Sequence, residues 1–255
     1  MSEGIDQGRV TRELARKRVL SIGSIPGGEA RRALWAELIS EGEAEIVALA
    51  MDVCVREAFD VVNIRLAWAA LFDFDLIVEL VGPGIFSEIL RAANSLGLEG
   101  PPLILEYHGP NRRAEELPPL PDPIGDRLSL GHKKTAARGM RSHLLERLLK
   151  DPDPRVVREV LRNPRLREEE VLAIASRRPS TEELFKHLVR STRWIVRQPV
   201  ARAIAMNPYA PVRLALMLMV TLPSTVLSEI GKIEGLHPEV RSGAMKLIAL
   251  RGERV

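Results

Sequence analysis

The residues to test first for chemistry are the histidines, His108, His132, His143, His187 and His237. They are scattered, with no pair at metal-ligand spacing and no flanking carboxylate pattern. Cys54 is the only cysteine, so an intrachain disulfide, a cysteine-based zinc site and an iron–sulfur cluster are all excluded. It lies in the apolar run IVALAMDVCV, which predicts a buried, inert thiol. Asp73-Phe74-Asp75 brings two carboxylates together without further acidic ligands in a loop, and reads as a solvated helix end. Gly82-Pro83-Gly84 lacks the spacing and the following Lys-Ser/Thr of a phosphate-cradling loop, and reads as a turn that starts a helix. No G-x-S-x-G sequence and no cysteine–histidine nucleophile context occurs. The expectation is a protein without enzymatic activity, metal or cofactor.

Cationic side chains are the more informative chemistry. Residues 1–126 carry 12 Lys/Arg against 21 Asp/Glu, a net −9, whereas residues 127–255 carry 25 against 13, a net +12. The two halves therefore have opposite electrostatic preferences. Lys133, Lys134, Arg138 and Arg141 form one cluster. Arg158, Arg162, Arg197 and Arg202 extend it, and together these eight residues are the candidate partner-binding face. Arg165, Arg177, Arg178, Arg190 and Arg193 add to the charge. Arginine dominates, and its planar fork suits bidentate pairing with carboxylate or phosphate. The competing reading is ordinary solvation of a helical surface, together with pairing to the acidic N-terminal half.

The elements that must position these residues can be read from periodicity and breakers. Arg9–Leu20, Glu29–Ser40, 43–58 and 60–72 have helical spacing or continuous apolar character. Pro83-Gly84 opens a further helix, Ile85–Leu96, which Gly97 ends. Leu103–Tyr107 is short, apolar and bounded by proline, either an isolated strand or an extended tail. Residues 108–126 hold five prolines and read as a semi-rigid linker. This gives an acidic helical domain over 1–107, the linker over 108–126 and a basic repeat domain over 127–255.

The repeat rests on two landmarks. VVREVLRNP at 156–164 returns as VARAIAMNP at 200–208, and Pro179-Ser180-Thr181 returns as Pro223-Ser224-Thr225, each 44 residues on. Apolar positions correspond between them, Leu172 with Leu216 and Ile174 with Leu218 among others. Each unit reads as three short helices. Asp153 caps the first and Pro154 opens it. Asn163-Pro164 ends it, since proline pushes the preceding residue out of the helical region. The second runs from Glu168 to Arg177, burying Val171, Leu172, Ile174 and Ala175. Ser180 with Glu183 has capping-box spacing and starts the third. One such unit cannot bury both its faces, so neighbours must stack.

The segment Val156–Ala175 resembles the leucine-rich repeat variant and related HEAT-like repeats of bacterial proteins. The likeness lies in an apolar pair followed by Arg and then Asn-Pro: Arg158, Asn163 and Pro164 in one copy, Arg202, Asn207 and Pro208 in the next. It covers about half the chain. It implies an all-α fold whose C-terminal half is a right-handed α-solenoid of 44-residue three-helix units, preceded by a smaller helical domain. The third helix per unit departs from the family's two-helix pattern. One branch of the family carries an iron–sulfur cysteine cluster, which Cys54 alone does not supply.

Two functions compete. The first is a cytoplasmic scaffold that presents its basic face to an acidic protein, with the N-terminal half engaging a second partner or another copy of the chain. The second is nucleic-acid binding through phosphates, similar to HEAT-like DNA-repair proteins. Phe185, Trp194 and Tyr209 are the only aromatics after residue 127, too few for a base-stacking platform. The polar start of the chain is unlike a signal peptide, and the longest apolar stretch, Leu214 to Leu222, falls well short of a membrane span.

Overall fold

The run IVALAMDVCV builds α3 (Ala44–Glu57), in which every residue from 47 to 55 is buried. A helix apolar on all sides needs neighbours on all sides. Those neighbours are α1 (Ser2–Ser24), α2 (Gly28–Glu41), α4 (Val62–Ala69), α6 (Gly84–Ser95), α7 (Gly100–Leu105) and α17 (Pro238–Gly252). The structure, a computed structural model, describes residues 2–106, 128–139, 143–149, 151 and 153–252, and the described residues are all-helical. The chain divides into two compact units, Met1–Gly109 with Val212–Val255, and Pro110–Pro211.

In the first unit α5 (Phe74–Val81), α15 (Val212–Met219) and α16 (Ser224–Lys232) complete the packing. Two buried indoles tie helices together through carbonyls: Trp35 Nε1 donates to Ala67 O at 2.9 Å and Trp68 Nε1 to Met217 O at 2.8 Å. Gly23 is pressed against the Asn63 backbone at the start of α4, where a Cβ would overlap the Asn63 carbonyl. Gly243 likewise lets α17 approach Leu216 and Leu103. Gly97, at φ 65°, ends α6, and Leu98 N returns to Ala93 O at 2.9 Å as helix-terminating glycine motifs do.

Three expectations change here. The sequence grouped 212–255 with the basic repeats, but this segment belongs to the compact unit that holds 1–109. Its apolar run packs there, and Arg213 Nε donates to Ile104 O at 3.0 Å while Arg56 Nη1 donates to Leu250 O at 3.1 Å. Residues 100–105 form α7 rather than a strand or tail, because Pro101 and Pro102 sit in its first turn, where no intrahelical N–H is lost. Asp73 is buried at the start of α5, not solvated. The proline-rich segment 108–126 lies outside the described residues.

The second unit contains α8 (Leu130–Arg138), α9 (His143–Leu148), α10 (Pro154–Leu161), α11 (Glu168–Ala175), α12 (Glu182–Arg190), α13 (Thr192–Ile195) and α14 (Gln198–Ala205). Asp153 caps α10 as expected, accepting from Arg155 N at 2.8 Å, with Pro154 in the first turn. Val156, Val157, Val160 and Leu161 are buried, and α10 packs on α8, α9 and α12. On α11, Val171, Ile174 and Ala175 are buried but Leu172 is only half-buried. Ser180 does not cap α12. Its hydroxyl donates to Arg177 O at 2.7 Å, and Thr181 occupies the cap position.

Asn163 and Asn207 explain why the Asn-Pro step matters. Both are almost fully buried. Asn163 Nδ2 donates to Ala137 O (2.7 Å) and Gly139 O (3.1 Å), while its Oδ1 accepts from Arg165 N (2.9 Å). Asn207 Nδ2 donates to Ala175 O (2.8 Å) and Arg177 O (2.9 Å), and its Oδ1 accepts from Tyr209 N (3.0 Å). Each side chain thus closes its own turn and ties that turn to the carbonyls at the end of an earlier helix, satisfying groups that a helix end leaves unpaired.

Candidate anion-binding site

The end of α10 lies beside α12 and α13, with Arg193 of α13 donating to the Asn163 carbonyl, and these three elements line a cleft of about 400 Å³. Arg158, Leu161 and Arg162 come from α10, His187 and Arg190 from α12, Ser191 from the junction, and Thr192 and Arg193 from α13. Arg158 and Arg162 are four apart and His187 and Arg190 three apart, so each helix turns two basic side chains to the same side.

The arginines are held to different degrees. Arg193 is the most fixed: its guanidinium lies 4.3 Å from the Trp194 ring centroid and donates to the carbonyls of Asn163 (3.3 Å), Pro164 (3.2 Å) and Leu166 (3.4 Å). Trp194 is itself anchored through Nε1 to Leu161 O at 3.2 Å. Arg158 and Arg162 approach the buried carboxylate of Glu159 at 3.4 and 3.7 Å, and Arg138 Nε donates to it at 2.7 Å. The Arg138 hydrogen bond, reinforced by the three positive charges and opposed by burial, holds the Glu159 pKa below its ordinary value. His187 is shifted below its ordinary 6.5, first by burial and then by Arg158, Arg190 and Arg162, with Glu183 opposing. Both causes favour the neutral imidazole. Arg158 Nε is enclosed without an acceptor among the described residues.

The eight residues expected on one basic face are distributed differently. Arg158 and Arg162 line the cleft, and Arg138 joins them around Glu159. Lys133 is only 16% exposed and pairs with Asp151 at 2.8 Å. Lys134 is half-buried on α8. Arg197 pairs with Glu168 and lies 5.0 Å from the Trp194 ring centroid. Arg202 is exposed on α14 and does not line the cleft, although it matches Arg158 in sequence. Arg141 lies outside the described residues. His187, Ser191 and Thr192 were not singled out by sequence reasoning, and Arg190 and Arg193 only as contributors to charge. The signal that could have found them is the basic i, i+3 pair His187/Arg190 on an amphipathic helix.

Elsewhere the chemistry is structural. A larger cleft of about 710 Å³ between α1, α2 and α3 mixes Lys17 and Arg18 with Glu37, Glu41 and Glu43, and so has no uniform charge. Asp52 is fully buried and accepts from Arg12 and Arg56, both at 3.0 Å, which binds α1 to α3. Cys54 is buried as expected, and burial, then Glu57 and Asp52, raise its thiol pKa. Among the described residues no group of three or more His, Cys, Asp or Glu could hold a metal ion, and no helix is long and apolar enough to cross a membrane. Comparison with protein-family models, curated proteins and solved structures finds no match to this chain.

Proposed function

We propose that the protein is a non-enzymatic binding protein that presents the arginine-rich surface of its 110–211 unit to an acidic protein partner. The observation that carries this reading is the cleft of α10, α12 and α13, which four guanidinium groups line. Charge supports it: residues 110–211 carry a net +8, and the remainder a net −5. Arginine at a partly enclosed site exchanges water for carboxylate or phosphate at lower desolvation cost than lysine would. On this reading the matched Asn163 and Asn207 latches belong to successive turns of a right-handed α-solenoid that acts as a cytoplasmic scaffold.

The test is affinity capture from native cells with the full chain, with and without nuclease, beside the double variant Arg158→Glu/Arg162→Glu. The expected result is an acidic protein that survives nuclease and is lost from the variant. Circular dichroism should stay unchanged, since both side chains are substantially exposed and such charges contribute little to stability. If nuclease removes the captured material, and arbitrary duplexes bind with a log–log salt slope of about −0.9 per neutralised phosphate, nucleic-acid binding replaces this reading.

A further inference from the structure

We infer that the α10–α12–α13 cleft receives a doubly charged phosphoryl group, borne by a phosphorylated side chain of the acidic partner or by a small phosphate ester. This rests on the binding reading above and specifies its ligand.

The charge around the cleft is the first argument. Arg158, Arg162, Arg190 and Arg193 line it, and the carboxylate of Glu159 lies against Arg158 and Arg162. To these four cations a carboxylate ligand brings one negative charge, whereas a phosphoryl group brings nearly two on three acceptor oxygens. Geometry is the second. A carboxylate is satisfied by one planar fork. Here the lining cations stand on three elements, α10, α12 and α13, rather than on one fork, which suits a group with three acceptor oxygens. Ser191 and Thr192 add hydroxyl donors without adding charge.

Preorganisation is the third argument. Arg193 is already fixed by three carbonyls and the Trp194 ring, so less side-chain freedom is lost when it meets a ligand. Among the described residues Arg158 Nε is enclosed without an acceptor, and a modest rotation toward a ligand oxygen would relieve that deficit. His187 is kept neutral by burial and by the surrounding guanidiniums, and an arriving dianion reverses the second of these causes. A filled site thus shifts the imidazole toward its charged form. Leu161 supplies an apolar wall, and about 400 Å³ leaves room for the carbon chain that carries the phosphate.

The experiment titrates full-length protein with inorganic phosphate by calorimetry while the His187 ring is followed by NMR. Acetate at matched ionic strength is the control. Saturable phosphate binding is expected, at least tenfold tighter than acetate, with the His187 titration midpoint moved upward. Arg162→Gln and Arg190→Gln should each weaken binding at least tenfold with unchanged circular dichroism. Should one of them fail to fold, the other and the His187 midpoint still decide. A phosphoserine peptide that binds more tightly than phosphate and than its glutamate counterpart assigns the group to a protein. Phosphate alone binding as tightly as the peptide assigns it to a small ester. No saturable phosphate binding with an unmoved His187 midpoint overturns the inference, as does acetate binding equal to phosphate. An acidic protein captured by the wild type and lost from Arg158→Glu/Arg162→Glu would still uphold the broader reading. Phosphate binding without any captured protein would remove the protein partner alone.

Discussion

Asn163-Pro164 and Asn207-Pro208 make the same connection in different surroundings. Both asparagines donate to two carbonyls at the end of an earlier helix and accept from the amide two residues on. The first reaches back 26 and 24 residues, the second 32 and 30. The difference is spread along the segment: α9 has six residues where α12 has nine, and the connection to the next helix runs over 149–153 in the first copy and over 191–197, which holds α13, in the second. That second connection brings Thr192 and Arg193 to the cleft. The positions around the latch diverge too: Glu159 and Arg162 in the first copy correspond to Ala203 and Met206 in the second. A shared polar latch therefore recurs in both copies, while the residues one turn away and the connection before the latch helix decide whether a charged site is built on it.

The largest expected effect comes from the apolar positions that the 44-residue spacing pairs. Leu216 is fully buried, so Leu216→Ala should cost about 2–5 kcal/mol. Leu172 is only half-buried and its alanine variant should cost well under that. Chemical denaturation measures both, and equal losses would mean that the two environments are alike after all. Next come the latches. Asn163→Ala strands the buried Ala137 carbonyl and the Arg165 amide, Asn207→Ala the buried Ala175 carbonyl and the Tyr209 amide, and about 1–3 kcal/mol is expected for each stranded group that water cannot reach. Similar losses sustain the equivalence, and a loss confined to one copy breaks it.

How much of this could be read from the sequence depends on whether a feature is local. Asp153 as cap, Pro154 in the first turn and Asn-Pro as a stop are decided within a few residues, and the structure has all three. The course of α3 also followed from its unbroken apolar run. The helix α7 is hard to read because Pro101 and Pro102 look like breakers, although a helix tolerates proline in its first turn. Residues 212–255 match 168–211 in sequence, but that match does not reveal which surface they bury. Within the site, charge density pointed to Arg158 and Arg162. His187, Ser191 and Thr192 come into place only when α12 packs on α10, a contact between residues distant in sequence.

A smaller effect separates the copies by pH. His187 sits below its ordinary 6.5, so as pH falls through 6.5 the unfolded chain takes up the proton first and stability declines until the folded value is passed. Glu159 sits below its ordinary 4.5, so its contribution is present above 4.5 and is lost as pH falls through the lower folded value. Two successive declines are expected in urea midpoints measured against pH. His187→Gln should remove the first and keep the second. A first decline that persists in this variant would place its origin outside the cleft.

The smallest change in stability, and the sharpest test of the comparison, is Glu159→Gln. Ala203 stands at the matching place in the second copy, so the latch itself has no need of a carboxylate there. Removing a charge from a buried pair is costly when its partner is left buried, but here the partners can turn to water. Arg138, Arg158 and Arg162 are 63, 43 and 68% exposed. A loss under about 1 kcal/mol is therefore expected, as for an exposed pair. Phosphate affinity should move the other way. Glu159 is the internal anion with which a ligand competes for Arg158 and Arg162, and neutralising it deepens the positive potential of the cleft. Tighter phosphate binding by calorimetry, with a near-wild-type denaturation midpoint, would show that Glu159 tempers the site. Weaker binding would show instead that the carboxylate holds the two arginines in the geometry the ligand needs, and would make Glu159 a positioning residue.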